Sequence, residues 1–146
     1  MDLGNMTWDE KYALVNNSNT PGNIIQELAY AADWATLSRA LVHPNLPEDI
    51  LRDFAQNNDW ELRREVIRNP NIPEDVLQKL ATDDNIPVRL YIARNTKASI
   101  NTLITLFEYE KSLVDPTDDI IEALYYHKNL PEFAKRVIET LYQEML

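Results

Sequence analysis

Three adjacent pairs of carboxylates are the residues of this chain best suited to chemistry. The pairs are Glu48 with Asp49, Glu74 with Asp75, and Asp118 with Asp119. Neighbouring carboxylates can exchange a proton in acid–base catalysis or bind a divalent cation through their oxygens. Each pair, however, stands where a helix is expected to begin, and negative charge is favourable beside the positive end of the helix dipole. Because this explains all three pairs at once, we interpret them as helix-start residues.

Other reactive residue types are scarce. The absence of cysteine excludes disulfides, thiol nucleophiles and iron–sulfur clusters, and two histidines alone cannot build a zinc site. The sequence also contains no glycine-rich phosphate loop, no G-x-S-x-G nucleophile motif and no H-E-x-x-H metal motif. We therefore predict that the chain is not an enzyme, with no catalytic residue, no cofactor, no cofactor-binding residue and no metal ligand.

Composition and charge narrow the class of protein. The 146 residues are 45% hydrophobic and 26% charged, which is the composition of a single soluble domain. A formal charge of -10 disfavours unspecific attraction to nucleic acid or to an anionic membrane. No apolar run is long enough to span a membrane, and the first residues lack the basic and apolar stretches of a secretory signal. These features predict a cytoplasmic protein without membrane contact.

An internal repeat of 26 residues organises the chain. The segments are a partial amino-terminal repeat (1–16), three full repeats (17–42, 43–68 and 69–94), a longer divergent repeat (95–126) and a carboxy-terminal capping helix (127–146). A period of this size is typical of a stacked array. We therefore predict an all-α fold, a single-domain α-solenoid of about four to five two-helix repeats that is partial at both ends.

Each full repeat contains signals for two helices. Pro73 suits the first position of its helix because its missing N–H has no intrahelical partner there, and Asn71 can turn the chain just before it. The second helix follows an aspartate, and both Asp33 and Asp59 are placed to cap it. Each repeat is thus expected to form a helical hairpin.

Two repeat columns resemble ligand sites at first sight. Trp8, Trp34 and Trp60 share one column, and aromatic rings can stack on nucleobases. We instead interpret them as packed in the core or between adjacent repeats, because Ile86 fills this position in the next repeat and buried aromatic rings contribute a large apolar area. His43 and His127 occupy a turn column that asparagine fills elsewhere, so we interpret them as turn residues rather than metal ligands.

The run RNPNIPEDVLQKLATDD, preceded by DWELRREVI and followed by IPVRLYIARN, resembles the leucine-rich repeat variant (LRV) family and, more distantly, HEAT and armadillo-like repeats. The resemblance covers about residues 7–107 and rests on the core N-P-N-x-P-E-x-V/I-L. It implies a right-handed superhelix whose second helices line the concave side, with a ladder arginine at Arg63 and Arg89. It implies very little about function. The cysteine-rich cluster domain of a founding member has no counterpart here, so its cofactor does not transfer.

Arginines and one tyrosine in the second helices form our candidate partner-binding surface. The residues are Arg39, Arg64, Arg68, Tyr91 and Arg94. Arginine and tyrosine dominate the hot spots of protein interfaces. The alternative is local pairing, since Arg64 and Arg68 each have an acid three residues earlier. Arg39 and Arg94 have no acid at helical spacing, so the sequence leaves both interpretations open.

The longer repeat is rich in acids and forms an alternative surface. Its carboxylates are Glu108, Glu110, Asp115, Asp118, Asp119 and Glu122. We interpret the region as a cap whose polar residues keep the end of the array in solution. The alternative is an acidic inhibitor, such as an immunity or anti-defence protein, whose carboxylates stand in for nucleic-acid phosphates. Salt would then weaken the complex steeply.

These observations together predict a protein–protein interaction module that binds through the concave face of the second helices. A stacked array offers a long, rigid surface that needs little ordering on binding. The sequence does not identify the partner. Nucleic acid is the least favoured partner because of the acidic net charge, and the half-repeat at residues 1–16 offers an exposed edge for a homodimer.

Overall fold

The protein is described by a computed structural model that covers residues 1–146, apart from the side chain of Met145. Every regular element in the described chain is a helix, which confirms the all-α prediction. The α-helices are α1 (Trp8–Asn16), α2 (Gly22–Leu28), α3 (Trp34–Leu41), α4 (Glu48–Phe54), α5 (Trp60–Ile67), α6 (Glu74–Leu80), α7 (Ile86–Arg94), α8 (Ile100–Ser112), α9 (Asp118–Tyr126) and α10 (Glu132–Leu141). Short 3₁₀ helices lie at Leu3–Asn5 and Gln143–Met145. A membrane-spanning helix needs about 20 apolar residues, and the described chain contains none of that kind.

The first helices of successive repeats are alike. The helices α2, α4 and α6 each span seven residues and begin 26 residues apart. A proline precedes each of them, and Pro73 has ψ of 144°, which places it at the N-cap. The prediction that Pro73 occupies the first helical position is therefore wrong by one residue. Its carbonyl oxygen still accepts the first helical hydrogen bond, from the N–H of Leu77 at 3.2 Å.

The second helices α3 and α5 begin with side-chain caps, as predicted. Asp33 accepts a hydrogen bond from the N–H of Thr36 at 2.7 Å, and Asp59 accepts one from the N–H of Glu61 at 2.9 Å. These bonds satisfy backbone donors that would otherwise have no partner in the first turn. One aspartate thus fixes the start of α3 and another fixes the start of α5, whereas α7 follows Asn85 without a side-chain cap.

A polar turn connects each repeat with the one before it. His43 Nδ1 accepts a hydrogen bond from the N–H of Asn45 at 3.0 Å, so the ring proton lies on Nε2. That nitrogen lies 2.9 Å from the carbonyl oxygen of Asn17, one repeat earlier. His43 therefore serves the turn, which confirms its interpretation as a turn residue.

Asparagine performs the same task in the next repeat. The side-chain oxygen of Asn69 accepts from the N–H of Asn71 at 2.8 Å, and its amide donates to the carbonyls of Leu41 and His43 at 2.7 and 3.0 Å. His127 repeats the histidine arrangement later in the chain, accepting from the N–H of Asn129 at 3.0 Å. The two residue types are therefore equivalent in this column, because both present an acceptor and a donor.

The chain divides into two compact units, Met1–Ile72 and Pro73–Leu146, called unit 1 and unit 2 below. In unit 1, α3 packs against both α1 and α5, and the first helices α2 and α4 pack against α3 and α5. In unit 2, α6 packs against α7 and α8, both of which pack with α9, and α10 covers α9. Each unit buries its own apolar side chains, among them Ile25, Leu41 and Leu51 in unit 1 and Ile92, Leu106 and Ile121 in unit 2.

The tryptophan column is more exposed than the sequence suggested. Trp8 and Trp34 are 48% and 44% exposed, so the core interpretation is wrong for these two, and packing between repeats remains. Trp8 nevertheless connects two repeats, because its indole N–H donates to Asp33 at 3.0 Å while its ring stacks on Tyr12 at 4.8 Å. These rings lie at the first residue of each second helix, where a side chain reaches the rim rather than the core.

Candidate functional site

The candidate arginine surface is divided between the two units. Arg39, Arg64 and Arg68 belong to unit 1, whereas Tyr91 and Arg94 belong to unit 2. Each unit therefore presents its own part of the predicted surface. The two parts differ in how their charges are partnered.

In unit 1, two of the arginines share the carboxylate of Glu65. Arg64 Nη2 lies 3.1 Å from Glu65 Oε1, and Arg68 Nη1 lies 2.8 Å from Oε2. The Glu65 side chain is only 4% exposed, and the Arg64 guanidinium also lies 5.4 Å from the centre of the Trp60 ring. Local pairing, one of the two interpretations of the sequence, is therefore present at Arg68. It lowers the positive charge that this surface offers to a partner.

Arg39 behaves differently. It is exposed in the last turn of α3 and forms no ion pair with a residue whose side chain the structure describes. This agrees with its lack of an acid at helical spacing. Arg39 thus remains a candidate contact in unit 1.

The ladder arginines implied by the family resemblance bind their own turns. Arg63 and Arg89 each donate from Nη1 to two consecutive carbonyl oxygens between the first and second helices, at 2.8 and 3.2 Å. Both arginines therefore fix the angle at which the chain enters its second helix. Charged donors strengthen such hydrogen bonds relative to neutral ones.

The acidic candidates include one residue that cannot meet a partner. Glu110 is fully buried, where its Oε1 accepts from Arg89 Nε at 2.6 Å and its Oε2 accepts from the N–H of Thr117 at 3.0 Å. Its assignment to the alternative acidic surface is therefore wrong. Instead it ties α8 to α7 and to the start of α9, because a buried carboxylate requires partners on both oxygens.

The other acids are exposed and differ in their partners. Glu108 lies 2.9 Å from Lys111 on the same helix, which is an exposed pair of small energetic weight. Asp115 and Asp118 are exposed, and their side chains bond to no residue in the described part of the chain. Of the six predicted acids, Asp119 and Glu122 have a more specific position.

Asp119 and Glu122 line an open groove of unit 2 together with Arg94. The groove has a volume of about 440 Å³ and lies between α7 and α9. Its lining also includes Ala93, Tyr126 and Lys128. The structure thus brings one residue of the predicted arginine surface together with two residues of the alternative acidic surface. Tyr91 is 36% exposed, one turn before Arg94, and does not line this groove.

One wall of the groove is a single stripe of α9. Asp119, Glu122, Ala123 and Tyr126 follow the spacing i, i+3, i+4 and i+7, which places them on one face of the helix. At 1.5 Å of rise per residue, Asp119 and Tyr126 are about 10 Å apart along the axis. Asp119 therefore lies in the first turn of α9, Glu122 at its middle and the aromatic ring at its end.

The basic residues lie at the other end of the groove. Arg94 is the last residue of α7, and Lys128 follows α9. The ends of these helices are held together, because His127 Nε2 lies 2.8 Å from the carbonyl oxygen of Asn95. The groove is therefore acidic at one end and basic at the other.

The charged groups of the groove have no internal partner. The side chains of Arg94, Asp119, Glu122 and Lys128 form no ion pair or hydrogen bond within the described part of the chain. The groove therefore presents both signs of charge to solvent. Unpartnered charges on a pre-formed surface are suited to recognition rather than to stability.

The Tyr126 ring is positioned by its contact with Tyr125. The ring is 65% exposed and packs edge-on against Tyr125 at 5.0 Å, and the Tyr125 hydroxyl donates to Glu139 Oε1 at 2.6 Å. The pKa of Tyr125 is raised above its ordinary value. The largest cause is this hydrogen bond, and desolvation and the negative charge of Glu139 add to it. A bonded Tyr125 limits the positions that Tyr126 can adopt.

Two other grooves are less suited to recognition. The one between α6 and α8 is polar, but Gln78 already bonds to Thr105 and Glu74 accepts from Thr102. The other, in unit 1, is an apolar cleft of about 320 Å³ beside the Tyr30 and Phe54 rings. Neither combines unpartnered charges of both signs.

The sequence missed the groove for an identifiable reason. Neither Lys128 nor Tyr126 belongs to either of the two predicted surfaces. The six extra residues of the fourth repeat shift α9 out of the 26-residue register, which hides that Tyr126 corresponds to Arg94. Aligning the turn residues Asn95 and His127, 32 residues apart, restores this correspondence and was the signal available.

No protein-family model matches the chain, and no curated protein or solved structure matches it either. The function must therefore be inferred from the geometry and charge of the groove itself.

Proposed function

We propose that this chain is a non-enzymatic protein-binding module and that the groove between α7 and α9 is its main recognition site. The observation that carries the proposal is the presence of Arg94 and two carboxylates, all without partners, in one open groove. Opposite charges that await partners favour specific recognition of a complementary surface. Arg39 is proposed as an additional contact on unit 1.

The architecture supports binding more than catalysis. Groups held on helices need little ordering when a partner arrives, so less binding energy is lost. We include in the proposal a right-handed α-solenoid of the LRV kind. It is supported by the 26-residue spacing of the helices and by the matching turn contacts of Arg63 and Arg89. The cytoplasmic location and the homodimer stay predictions from the sequence.

The test is affinity capture from a lysate of the source cell with the full chain as bait. Wild type is compared with Arg94→Glu and, as a matched control, with Arg136→Glu, an exposed arginine on α10 that does not line the groove. Both substitutions change the net charge by the same amount. We expect the captured protein to be lost with Arg94→Glu and retained with Arg136→Glu.

The same experiment shows which results would contradict the role of the groove. A partner that both variants retain would overturn the role of the groove, and a signal removed by nuclease would replace the protein partner with a nucleic acid. Equal loss with both variants would mean that net charge alone governs capture. Urea denaturation of the three proteins checks that each is folded.

A second candidate function is the acidic inhibitor. It is favoured by Asp115 and Asp118, which are exposed and have no partner in the described chain. A phosphate-mimicking surface predicts a steep loss of affinity with salt and loss of capture with Asp115→Asn/Asp118→Asn. Arg94→Glu would leave that complex intact, so the two proposals give opposite results with the same partner.

A further inference from the structure

We propose that the groove of unit 2 binds a short extended peptide segment that carries a basic residue and an acidic group about three residues apart. The inference rests on the proposed protein-binding function and names the class of ligand. It follows from the order of charges along the groove, from the distance between the charged ends and from the small side chains of the lining.

The order of charges defines what the ligand must carry. Asp119 in the first turn of α9, supported by Glu122 one turn later, attracts a cationic side chain, and Arg94 and Lys128 at the other end attract a carboxylate. A wholly basic segment would place one of its charges beside Arg94. A polyanion such as nucleic acid would meet the two carboxylates, so only a ligand with both signs fits the whole groove.

The distance between the charged ends sets the length of the ligand. Asp119 and the end of α9 are about 10 Å apart along the helix axis. An extended peptide of the polyproline II type advances about 3.1 Å per residue with three residues per turn, so side chains three residues apart lie about 9 Å apart on the same side. The ammonium and carboxylate of one free amino acid are much closer together, and such a ligand would reach only one end.

Two small side chains of the lining leave room for a peptide backbone. Ala123 lies between Glu122 and Tyr126 on α9, and Ala93 precedes Arg94 on α7, so a main chain can approach both helices there. Tyr126 forms a wall at the basic end, where its exposed ring can pack on an aliphatic part of the ligand. Its contact with Tyr125 keeps that wall in position before the ligand arrives.

The experiment is a titration of the isotope-labelled full chain with blocked tetrapeptides, followed by NMR chemical shifts at low ionic strength. The main probes carry lysine and glutamate at positions one and four, in either order. Matched probes place the same two charges on adjacent residues, or replace the glutamate with glutamine. A further probe has lysine first and a free carboxyl terminus, which distinguishes a chain end from an acidic side chain.

We expect the widely spaced, doubly charged probe to shift the amides of Ala93 and Ala123. Arg94→Gln and Glu122→Gln should each weaken its binding by about fivefold, the size of one exposed ion pair. The control substitutions Arg136→Gln and Glu27→Gln remove exposed charges outside the groove and should leave the affinity unchanged. The glutamine probe should bind more weakly and lose its sensitivity to Arg94→Gln.

Each other result has a definite meaning. Tighter binding of the free-carboxyl probe supports the proposal and assigns the acidic group to a chain end. Equal affinity for the adjacent-charge or glutamine probe overturns it. If no probe binds while capture of a protein still depends on Arg94, the peptide inference is wrong and the proposed function stands. If capture is also independent of Arg94, both are wrong.

Discussion

Helices α5 and α7 carry arginine at the same two repeat positions, yet their acidic partners come from different places. In α5, Glu65 lies one turn before Arg68 and binds it at 2.8 Å. In α7 the residue at the position of Glu65 is Tyr91, so Arg94 has no acid on its own helix at that spacing. One column of the repeat thus determines whether the last arginine of the helix is neutralised or available.

The inner arginines complete the comparison. Arg63 and Arg89 make the same two bonds to their turns, and Arg89 additionally binds Glu110. Glu110 comes from α8, the helix of the longer repeat. The acid that partners an arginine of α7 therefore lies in the core, beside Arg89. Both acids are buried, but Glu65 pairs with the exposed Arg68 of its own segment, whereas Glu110 pairs with the buried Arg89 and leaves Arg94 available for binding.

The largest effect is expected from removing the buried acid. Glu110→Ala leaves the Arg89 guanidinium buried without its anion, and breaking such a pair costs about 3–5 kcal/mol of unfolding free energy. Urea denaturation measures the change. Glu108→Ala, which breaks an exposed pair on the same helix, is the control and should cost at most about 1 kcal/mol. Similar losses in both variants would contradict a structural role for Glu110.

Substitutions at His43 should change the unfolding free energy less. The change should depend on whether the new side chain has a hydrogen-bond donor and acceptor, not on its size. His43→Ala removes both the acceptor for the N–H of Asn45 and the donor to Asn17, and should cost about 1–3 kcal/mol. His43→Asn should stay within about 1 kcal/mol of wild type, because Asn69 already performs this task one repeat later. Equal destabilisation by alanine and asparagine would show that the two residue types are not equivalent. The alignment of repeats that makes Glu65 correspond to Tyr91 would then lose the support of the turn column.

The sequence predicted the features that repeat and missed those that occur once. The helices, the aspartate caps and the turn role of His43 follow from columns that recur every 26 residues, so local rules were sufficient. The Arg89–Glu110 pair and the groove both depend on the six extra residues of the longer repeat, which change the register. Glu110 was assigned to the surface because its neighbours in sequence are exposed acids, and only tertiary packing shows that it points inward. The tryptophan column predicted packing in the core or between repeats, but it could not show that the first residue of α1 or α3 stays largely exposed.

Giving α7 the residue that α5 has at the position of Glu65 tests whether this position controls the availability of Arg94. Tyr91→Glu gives α7 the acid that α5 has, and the new carboxylate should pair with Arg94. Binding of the doubly charged tetrapeptide should then fall by about fivefold, while the unfolding free energy changes by less than about 0.5 kcal/mol. Tyr91→Gln is the uncharged control. If the affinity is unchanged with glutamate, the available charge of Arg94 is not what the ligand recognises.

The smallest effect concerns the helix starts. Asp33 caps α3, whereas the corresponding Asn85 before α7 has a buried side-chain oxygen without a partner in the described chain. Partial desolvation opposes the charge of Asp33, but hydrogen bonds from the N–H of Thr36 and the indole of Trp8 outweigh it and lower the pKa of Asp33.

A lowered pKa means that the unfolded chain binds the proton more readily. The contribution of Asp33 is therefore fully present above the ordinary aspartate pKa of about 3.9, and it is lost as the pH falls through the value in the folded protein. Trp8→Phe removes one donor and keeps an aromatic ring, so it should reduce the loss of stability between pH 5 and pH 3. Urea midpoints across this range measure the slope. The same slope in both proteins would contradict the indole contribution, and a difference at neutral pH alone would report the packing of the ring instead.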